Sequence, residues 1–297
     1  TDQVTTALSM LQTAKTHRLY DRTRLAAWLL DSAAPALERN LGSTSKQYLE
    51  CAFWRAKLKL ELDMPTEALA LIAPVIDAQT ASPMLGPRHP DSRRSLSLRA
   101  GALHSLGEHE DAKRILEALL EEEPDPPGVV GEHPDAMHYA QLLADILVAE
   151  GNLEDALERI LRILEARKST PRYGPEHSET LRVQQQLIQI LLALHRKEEA
   201  MEVVAAIEVA QVAYARQVGK SALLSHTQLL KAETLGTVGR HEEALVILED
   251  LASDEELPFI SRMRTRLLRA LVLSNLSRGA EGIALLDTTI QEIEAYA

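Results

Sequence analysis

The feature that most constrains this chain is an internal repeat with a constant period. Residues 107–120, 151–164 and 239–252 share one order: a glycine, a short polar stretch, an alanine and a helical apolar pattern. The alanine that marks each copy occurs at five positions, each 44 residues after the last: Ala68, Ala112, Ala156, Ala200 and Ala244. A sixth copy follows at Gly282, after 38 residues. A fixed period of this length is typical of arrays of small helical units, which do not need one compact core.

Each marker has a companion twelve positions earlier, on what the pattern predicts to be the preceding helix. All but one of these companions are alanine: Ala56, Ala100, Ala144, Ile188, Ala232 and Ala270. An apolar residue also follows each marker by four positions, which indicates a helical face: Ile72, Leu116, Ile160, Val204, Leu248 and Leu286. Small side chains at both places let two helices approach closely. We therefore predict antiparallel helix pairs in which Ala112, Ala156 and Ala244 are buried.

Turns between the two helices of each pair are predicted from glycine and from the residues that replace it. Glycine stands there in three copies, and other residues stand at the equivalent place in the rest: Gly107, Gly151, Gly239, Asp63, His195 and Ser277. Glycine ends a helix at low cost because it readily adopts the left-handed conformation at the C′ position. The predicted turns lie near 63–66, 107–109, 151–153, 195–197, 239–241 and 277–280.

Composition agrees with an all-α fold and excludes some partners. Apolar residues make up 45% of the chain, charged residues 26% and aromatic residues only 3%. The formal charge of −12 disfavours nucleic acid, because phosphate binding is driven by clustered Lys and Arg. There is no apolar run of about 18 residues, so no membrane span is predicted. Cys51 is the only cysteine and the N-terminus shows no signal pattern, which together favour the cytoplasm.

This pattern resembles the tetratricopeptide repeat (TPR), which has small residues at its eighth and twentieth positions and glycine near its fifteenth. The usual repeat has about 34 residues, so about ten extra residues stand in each copy here. They carry a second signature, in which His89, His133 and His177 recur 44 residues apart, each followed by Pro-Asp or Ser-Glu. In this the chain is similar to the longer repeat of kinesin light chains. The resemblance implies an all-α, right-handed α-solenoid superhelix of about seven antiparallel helix pairs.

The resemblance covers roughly residues 45–295, and the whole chain, 1–297, is predicted to form a single repeat domain. A divergent helix pair occupies 1–44. The repeats occupy about 45–84, 89–128, 133–172, 177–216, 221–258 and 259–297.

In this family the first helix of each repeat lines the concave groove, mainly through its second, fifth and ninth positions. The second position reads Glu50, Arg94, His138, Arg182, His226 and Arg264. We predict that the five basic residues of this column, together with Gln141 and Gln185 of the fifth position and Gln189 of the ninth, contact a partner. A basic column in an acidic protein attracts carboxylates. The alternative left open is that these residues pair with Asp91, Asp135 and Glu179 at the helix starts.

The predicted function is a non-catalytic scaffold or adaptor that binds a protein or peptide of some acidic character in the groove. No Ser, His and Asp arrangement, paired-carboxylate pocket or Cys-His pair follows from the spacing, so no catalytic residue and no cofactor are predicted. The periodic histidines are not predicted to bind a metal, because equivalent positions in adjacent repeats lie at least about 8–10 Å apart. Two alternatives are a regulatory or sensory segment of a larger signalling protein and a structural, self-associating subunit of a multiprotein complex.

Overall fold

The protein is described by a computed structural model that covers residues 2–19, 23–121, 134–169, 177–218, 222–254, 257 and 259–296. Fourteen α-helices and no strand occur within these residues, which confirms the predicted all-α class. Contacts divide the chain into two compact units, Thr1–Glu150 and Gly151–Ala297. None of the helices in the described ranges is long and apolar enough to cross a membrane.

Each unit contains seven of these helices. Those of the first unit are α1 (Asp2–Leu19), α2 (Thr23–Leu41), α3 (Lys46–Glu61), α4 (Pro65–Ala81), α5 (Pro90–Ser105), α6 (His109–Glu121) and α7 (Pro134–Ala149). Those of the second unit are α8 (Leu153–Ser169), α9 (Ser178–Ala193), α10 (Lys197–Val218), α11 (Ala222–Thr237), α12 (His241–Ala252), α13 (Phe259–Asn275) and α14 (Gly279–Tyr296).

Helices that follow one another in the chain pack on one another within each unit. Thus α3 packs on α4 and α5 on α6, and in the second unit α9 packs on α10, α11 on α12 and α13 on α14. Because each of these pairs is joined by a short turn, its two helices run antiparallel. The first helices of successive pairs also touch, α3 with α5 and α5 with α7, then α9 with α11 and α11 with α13. The first helices therefore lie side by side within each unit.

The marker residues form the centre of this packing. All five marker alanines, Ala68, Ala112, Ala156, Ala200 and Ala244, have 0% of their surface exposed. The predicted burial of Ala112, Ala156 and Ala244 is therefore confirmed. At the sixth copy the two helices are in close contact, since a Cβ placed on Gly282 would lie 2.8 Å from the carbonyl oxygen of Ala270, its companion twelve residues earlier.

The six predicted turns are confirmed by the backbone conformation at their central residues. The φ angle is positive at every one of them: 80° at Gly107, 80° at Gly151, 89° at Gly239, 59° at Asp63, 60° at His195 and 63° at Ser277. After α5, the N–H of Gly107 donates to the carbonyl of His104 at 2.9 Å, and the N–H of Glu108 donates to that of Leu103 at 3.0 Å. This pair of bonds is the Schellman motif, which satisfies the last carbonyls of the helix.

We expect His195→Gly to stabilise the protein by about 0.5–1 kcal/mol. A side chain at positive φ carries a steric cost that glycine lacks, and the entropy that glycine loses on folding offsets only part of the gain. The histidine side chain is exposed, so little packing is lost with it. Urea midpoints measure the change. Gly107→Ala is the matched control and should shift the midpoint in the opposite direction, whereas a lower midpoint for His195→Gly would contradict the strain argument.

Candidate functional site

Two of the first helices that carry the predicted groove, α5 and α9, begin at histidines. His89 precedes α5, and its Nδ1 atom accepts a hydrogen bond from the backbone N–H of Asp91 at 3.2 Å. His177 makes the same bond with the N–H of Glu179 before α9, also at 3.2 Å. These imidazoles therefore cap their helices, and Pro90 and Asp91 complete the start of α5. His133, the third member of the series, lies outside the described residues.

No cluster of metal ligands forms around these histidines. Across the described ranges, no three or more His, Cys, Asp or Glu side chains are placed to hold one ion. Cys51, the single cysteine, is fully buried, and burial raises the pKa of its thiol to about 11. A thiol with so high a pKa is protonated near neutral pH, which removes it as a nucleophile.

In the first unit the basic column is represented by Arg94 and His138. Arg94 is exposed, and its Nε lies 3.5 Å from a carboxylate oxygen of Asp135, at the start of the neighbouring first helix α7. His138 is exposed one turn further along α7. The pairing of Arg94 with Asp135 is the helix-start contact that the sequence left open as an alternative. It does not remove Arg94 from the surface, because more than half of its side chain, 55%, stays exposed.

In the second unit two arginines of the column also face carboxylates. Arg182 lies 3.3 Å from Glu179, one turn earlier on α9. Arg264 of α13 lies 2.6 Å from Glu233, which occupies the ninth position of α11. The side chain of Arg182 is 59% exposed and that of Arg264 is 42% exposed, and ion pairs at the surface contribute only about 0–1 kcal/mol. The side chain of His226 lies outside the described part of the chain, although its backbone belongs to α11.

The three predicted glutamines are not equivalent. Gln189 is exposed on α9, and Gln185 on the same helix is half-buried. Gln141 of α7 is only 4% exposed and does not offer its amide to a partner at the surface. The reason is that α7 is enclosed on most sides, with Met137 and Ala144, its neighbours one turn away, fully buried.

A cavity in the first unit brings groove positions of two first helices together. It encloses about 540 Å³ and is lined by Glu50 and Phe53 of α3 and by Arg94 of α5. These are the second and fifth positions of one repeat and the second position of the next. The rest of its lining comes from α1, from the connection before α3, from α3 and α5 themselves, and from the end of α4 with the connection that follows it: Lys15, Thr44, Lys46, Leu49, Trp54, Gln79, Ser82, Met84, Leu85 and Asp91. We call this the α3–α5 cavity.

Aromatic rings and ammonium groups dominate the α3 wall of the cavity. The rings of Phe53 and Trp54 meet edge to face with their centroids 5.7 Å apart. The Nζ atom of Lys15 lies 5.6 Å from the centre of the Trp54 ring, and that of Lys57 lies 5.3 Å from it. Lys15 also pairs with the carboxylate of Glu50. A half-buried aromatic wall beside cationic groups suits an apolar side chain that carries or neighbours a carboxylate.

Gln79 and Met84 also line the cavity, and they contribute one polar and one apolar group. Gln79 is 4% exposed, and its Oε1 atom has no hydrogen-bond partner among the described residues. Met84 is 90% exposed at the edge of the cavity, where its flexible thioether can adapt to a bound group. The repeat pattern did not predict this cavity. The signal was the Phe53-Trp54 pair on a first helix, in a chain that is only 3% aromatic.

Comparisons with known proteins identify the fold. No protein-family model matches the sequence, and a search of curated proteins gives no match. A solved Podosopora anserina protein with kinesin light chain nearly identical TPR-like repeats is 22% identical, with a TM-score of 0.54 over 70% of this chain and 95% of that chain. A tetratricopeptide repeat protein from Parabacteroides merdae is 13% identical, with a TM-score of 0.57 over 97% of this chain and 93% of that one.

A third solved structure is the Rap conjugation gene regulator of the plasmid pLS20 in complex with the Phr* peptide. It is 15% identical and has a TM-score of 0.62, over 97% of this chain and 75% of that chain. The chain therefore has the fold of TPR-like repeat proteins, as the resemblance implied. At these identities the likeness establishes the fold alone, because one fold supports many functions.

Proposed function

We propose that this protein is a non-catalytic binding module of the cytoplasm, which holds a segment of a partner protein on its first helices. The observation that carries the proposal is the α3–α5 cavity, where Glu50, Phe53 and Arg94 converge from two first helices. Its volume of about 540 Å³ lies within the range of pre-formed ligand pockets, about 300–1,000 Å³. A cavity of this size accommodates one or two large side chains of a peptide.

The charges around the cavity favour a segment with acidic character. Lys15, Lys46 and Arg94 line it together with the carboxylates of Glu50 and Asp91, in a protein whose formal charge is −12. Lys46 is exposed and makes no ion pair within the described residues. Cationic groups that are close together on an acidic protein produce a local positive electrostatic potential, which attracts an oppositely charged ligand. The proposal extends to His138 in the first unit and to Arg182, His226, Arg264, Gln185 and Gln189 in the second.

The fold of the pLS20 regulator supports the proposal by analogy, since that protein was solved with a peptide bound. The exposure of the basic residues supports it more directly. Arg94, Arg182 and Arg264 are held by carboxylates at the surface, where exchange for a partner's carboxylate costs little. These ion pairs therefore orient the arginines and leave them available to a partner's carboxylate.

The test compares the wild type with Phe53→Ala combined with Arg94→Ala. Partners are captured from a lysate of the native host, identified by mass spectrometry and then measured for affinity at low and raised salt. We expect the double variant to bind about 10- to 100-fold more weakly, because it loses an aromatic wall and an exposed charge, together about 1.4–2.8 kcal/mol. We also expect its affinity to depend less on salt.

A matched control is Arg114→Ala on the second helix α6, whose arginine is 77% exposed and lies away from the cavity lining. Far-ultraviolet circular dichroism and thermal unfolding confirm that each variant folds. Unchanged affinity and unchanged salt dependence of a captured partner would place binding elsewhere on the protein.

A further inference from the structure

The last helix, α14, exposes a row of large apolar side chains on one side. Ile283 is 63% exposed, Ile290 50% and Ile293 41%, and Leu286 between them is half-buried. The spacing of three, four and three residues places them on one side of the helix. We call this row the α14 stacking face. It lies beside, and not within, the buried side of α14, where Gly282 and Thr289 pack inward.

The second helix of the preceding pair, α12, has apolar residues at the equivalent positions, and there they are buried. Leu245 and Leu248 of α12 stand 38 residues before Ile283 and Leu286 and are 4% and 0% exposed. They are buried in one apolar cluster with Leu268 and Val272 of α13, the first helix of the next pair. On α12 these positions are thus buried with α13 contributing to their cluster, whereas on α14 Ile283 stays 63% exposed and Leu286 is only half-buried by the described residues.

The charge pattern repeats in the same register. Glu249 of α12 lies 3.4 Å from the guanidinium of Arg269 on the covering helix α13. Its equivalent on α14, 38 residues later, is Asp287, which is exposed and makes no ion pair with any described residue. Glu294, two turns further along, is likewise exposed and unpaired among the described residues.

We infer that the α14 stacking face is a docking site for an amphipathic helix of a partner protein, which sits on α14 as α13 sits on α12. The template specifies its chemistry: apolar residues four apart, as Leu268 and Val272 are, with Lys or Arg directly after the first, as Arg269 is. The basic residue then reaches Asp287. This surface is separate from the α3–α5 cavity, and the inference is independent of the proposed function.

Charge argues against a second copy of α14 as the occupant. The helix contains no Lys or Arg, and its exposed carboxylates would face their own counterparts across a symmetric contact. Like charges placed opposite one another disfavour association. A helix with basic residues removes this repulsion and gains an ion pair.

The probe for the test is a fluorescent synthetic peptide with the sequence of residues 259–275, which is α13 itself. Its anisotropy is measured against the full chain. We expect saturable binding that weakens more than tenfold in the variant Ile283→Asp with Ile290→Asp, because two apolar contacts are lost and two charges are buried. Val246→Asp, at a 68% exposed apolar residue outside the cluster, is the matched control and should leave binding unchanged.

A separate experiment tests the predicted ion pair between Asp287 and a basic residue of the bound helix. Asp287→Arg should weaken binding of the α13 peptide about two- to fivefold. A second peptide, with glutamate at the place of Arg269, should recover that loss when it is measured on the Asp287→Arg protein. On the wild-type protein the same peptide should bind no better than the α13 peptide. Equal binding of the α13 peptide to the wild type and to the double aspartate variant overturns the inference. So does a wild-type dimer in light scattering that the double aspartate variant converts to monomer, because the face would then be occupied by a second copy.

Discussion

Replacing Gly282 by alanine is expected to lower the free energy of unfolding by about 1–3 kcal/mol. The added Cβ would lie 2.8 Å from the carbonyl oxygen of Ala270 and 3.6 Å from its carbonyl carbon. Both atoms belong to the backbone, which cannot rotate away as a flexible side chain can. To accept the methyl group, α14 must move away from α13 along their whole contact. The intrinsic helix propensity of alanine recovers up to about 1 kcal/mol, which reduces the loss without cancelling it.

The control for this substitution is Gly279→Ala in the same helix. Gly279 is the first residue of α14, and a Cβ there would meet nothing within 4 Å. We expect the stability of this variant to be unchanged or higher by up to about 1 kcal/mol. Urea unfolding followed by circular dichroism measures both. A Gly282→Ala protein as stable as the wild type would mean that α13 and α14 are not in backbone contact at this point.

The repeat could be predicted because its cause is local and recurs. Wherever two antiparallel helices approach closely, only a small side chain fits, and the array imposes the same geometry every 44 residues. Ala68 and Ala244, at the two ends of the series, are both fully buried. The turns were predictable for the same reason, since the left-handed conformation recurs at Gly107 and at His195 alike.

The histidine caps were missed because histidine is not among the residues usually expected before a helix. The clue was in the register. Ser45 stands 44 residues before His89, and its hydroxyl accepts a hydrogen bond from the N–H of Tyr48 at 3.3 Å. An ordinary serine cap in one copy and a histidine in the next occupy the same place. His89 and His177 are therefore explained by a backbone N–H that needs an acceptor at the start of α5 and of α9.

The candidate site could be predicted only in part. Register placed Glu50, Phe53 and Arg94 on one face, but the cavity also needs Lys15 from a divergent helix and Gln79 from the end of α4. These residues follow no period, so the pattern contained no signal for them. The sequence named Asp135 and Glu179 as possible partners of the basic column, and Arg94 and Arg182 lie beside them, but it contained no signal for the pair of Arg264 with Glu233.

The burial of Gln141 has a similar explanation. The register gives the position of a residue along a repeat but assumes that every first helix is equally open to solvent. The 44-residue period does not show that α7 is enclosed on nearly every side. Tyr139, Leu143 and Ile146 are each 2% exposed or less, so the helix is enclosed. A polar residue at its fifth position is then covered with its neighbours.

Ala200→Leu is the second substitution with a large expected effect, and it tests the marker series where its companion departs from the pattern. Ala200 of α10 is 0% exposed, and the residue twelve positions before it is Ile188 of α9, which is 1% exposed. The other companions are alanine, so the larger Ile188 leaves this helix pair little room for a larger marker. We expect a loss of about 1–3 kcal/mol from overpacking, measured by urea unfolding. Ala205→Leu, at an exposed alanine of the same helix, should change stability by less than about 0.5 kcal/mol.

A double variant decides whether Ile188 and Ala200 face each other. Ile188→Ala alone should cost about 2–5 kcal/mol, because it leaves a cavity between α9 and α10. If the two side chains meet, leucine at position 200 fills part of that cavity, and the double variant is more stable than the sum of the single losses predicts, by at least about 1 kcal/mol. Strictly additive losses would show that the pair is not in contact. The contact between a marker and the residue twelve positions before it would then be limited to the alanine pairs and would not extend to this copy.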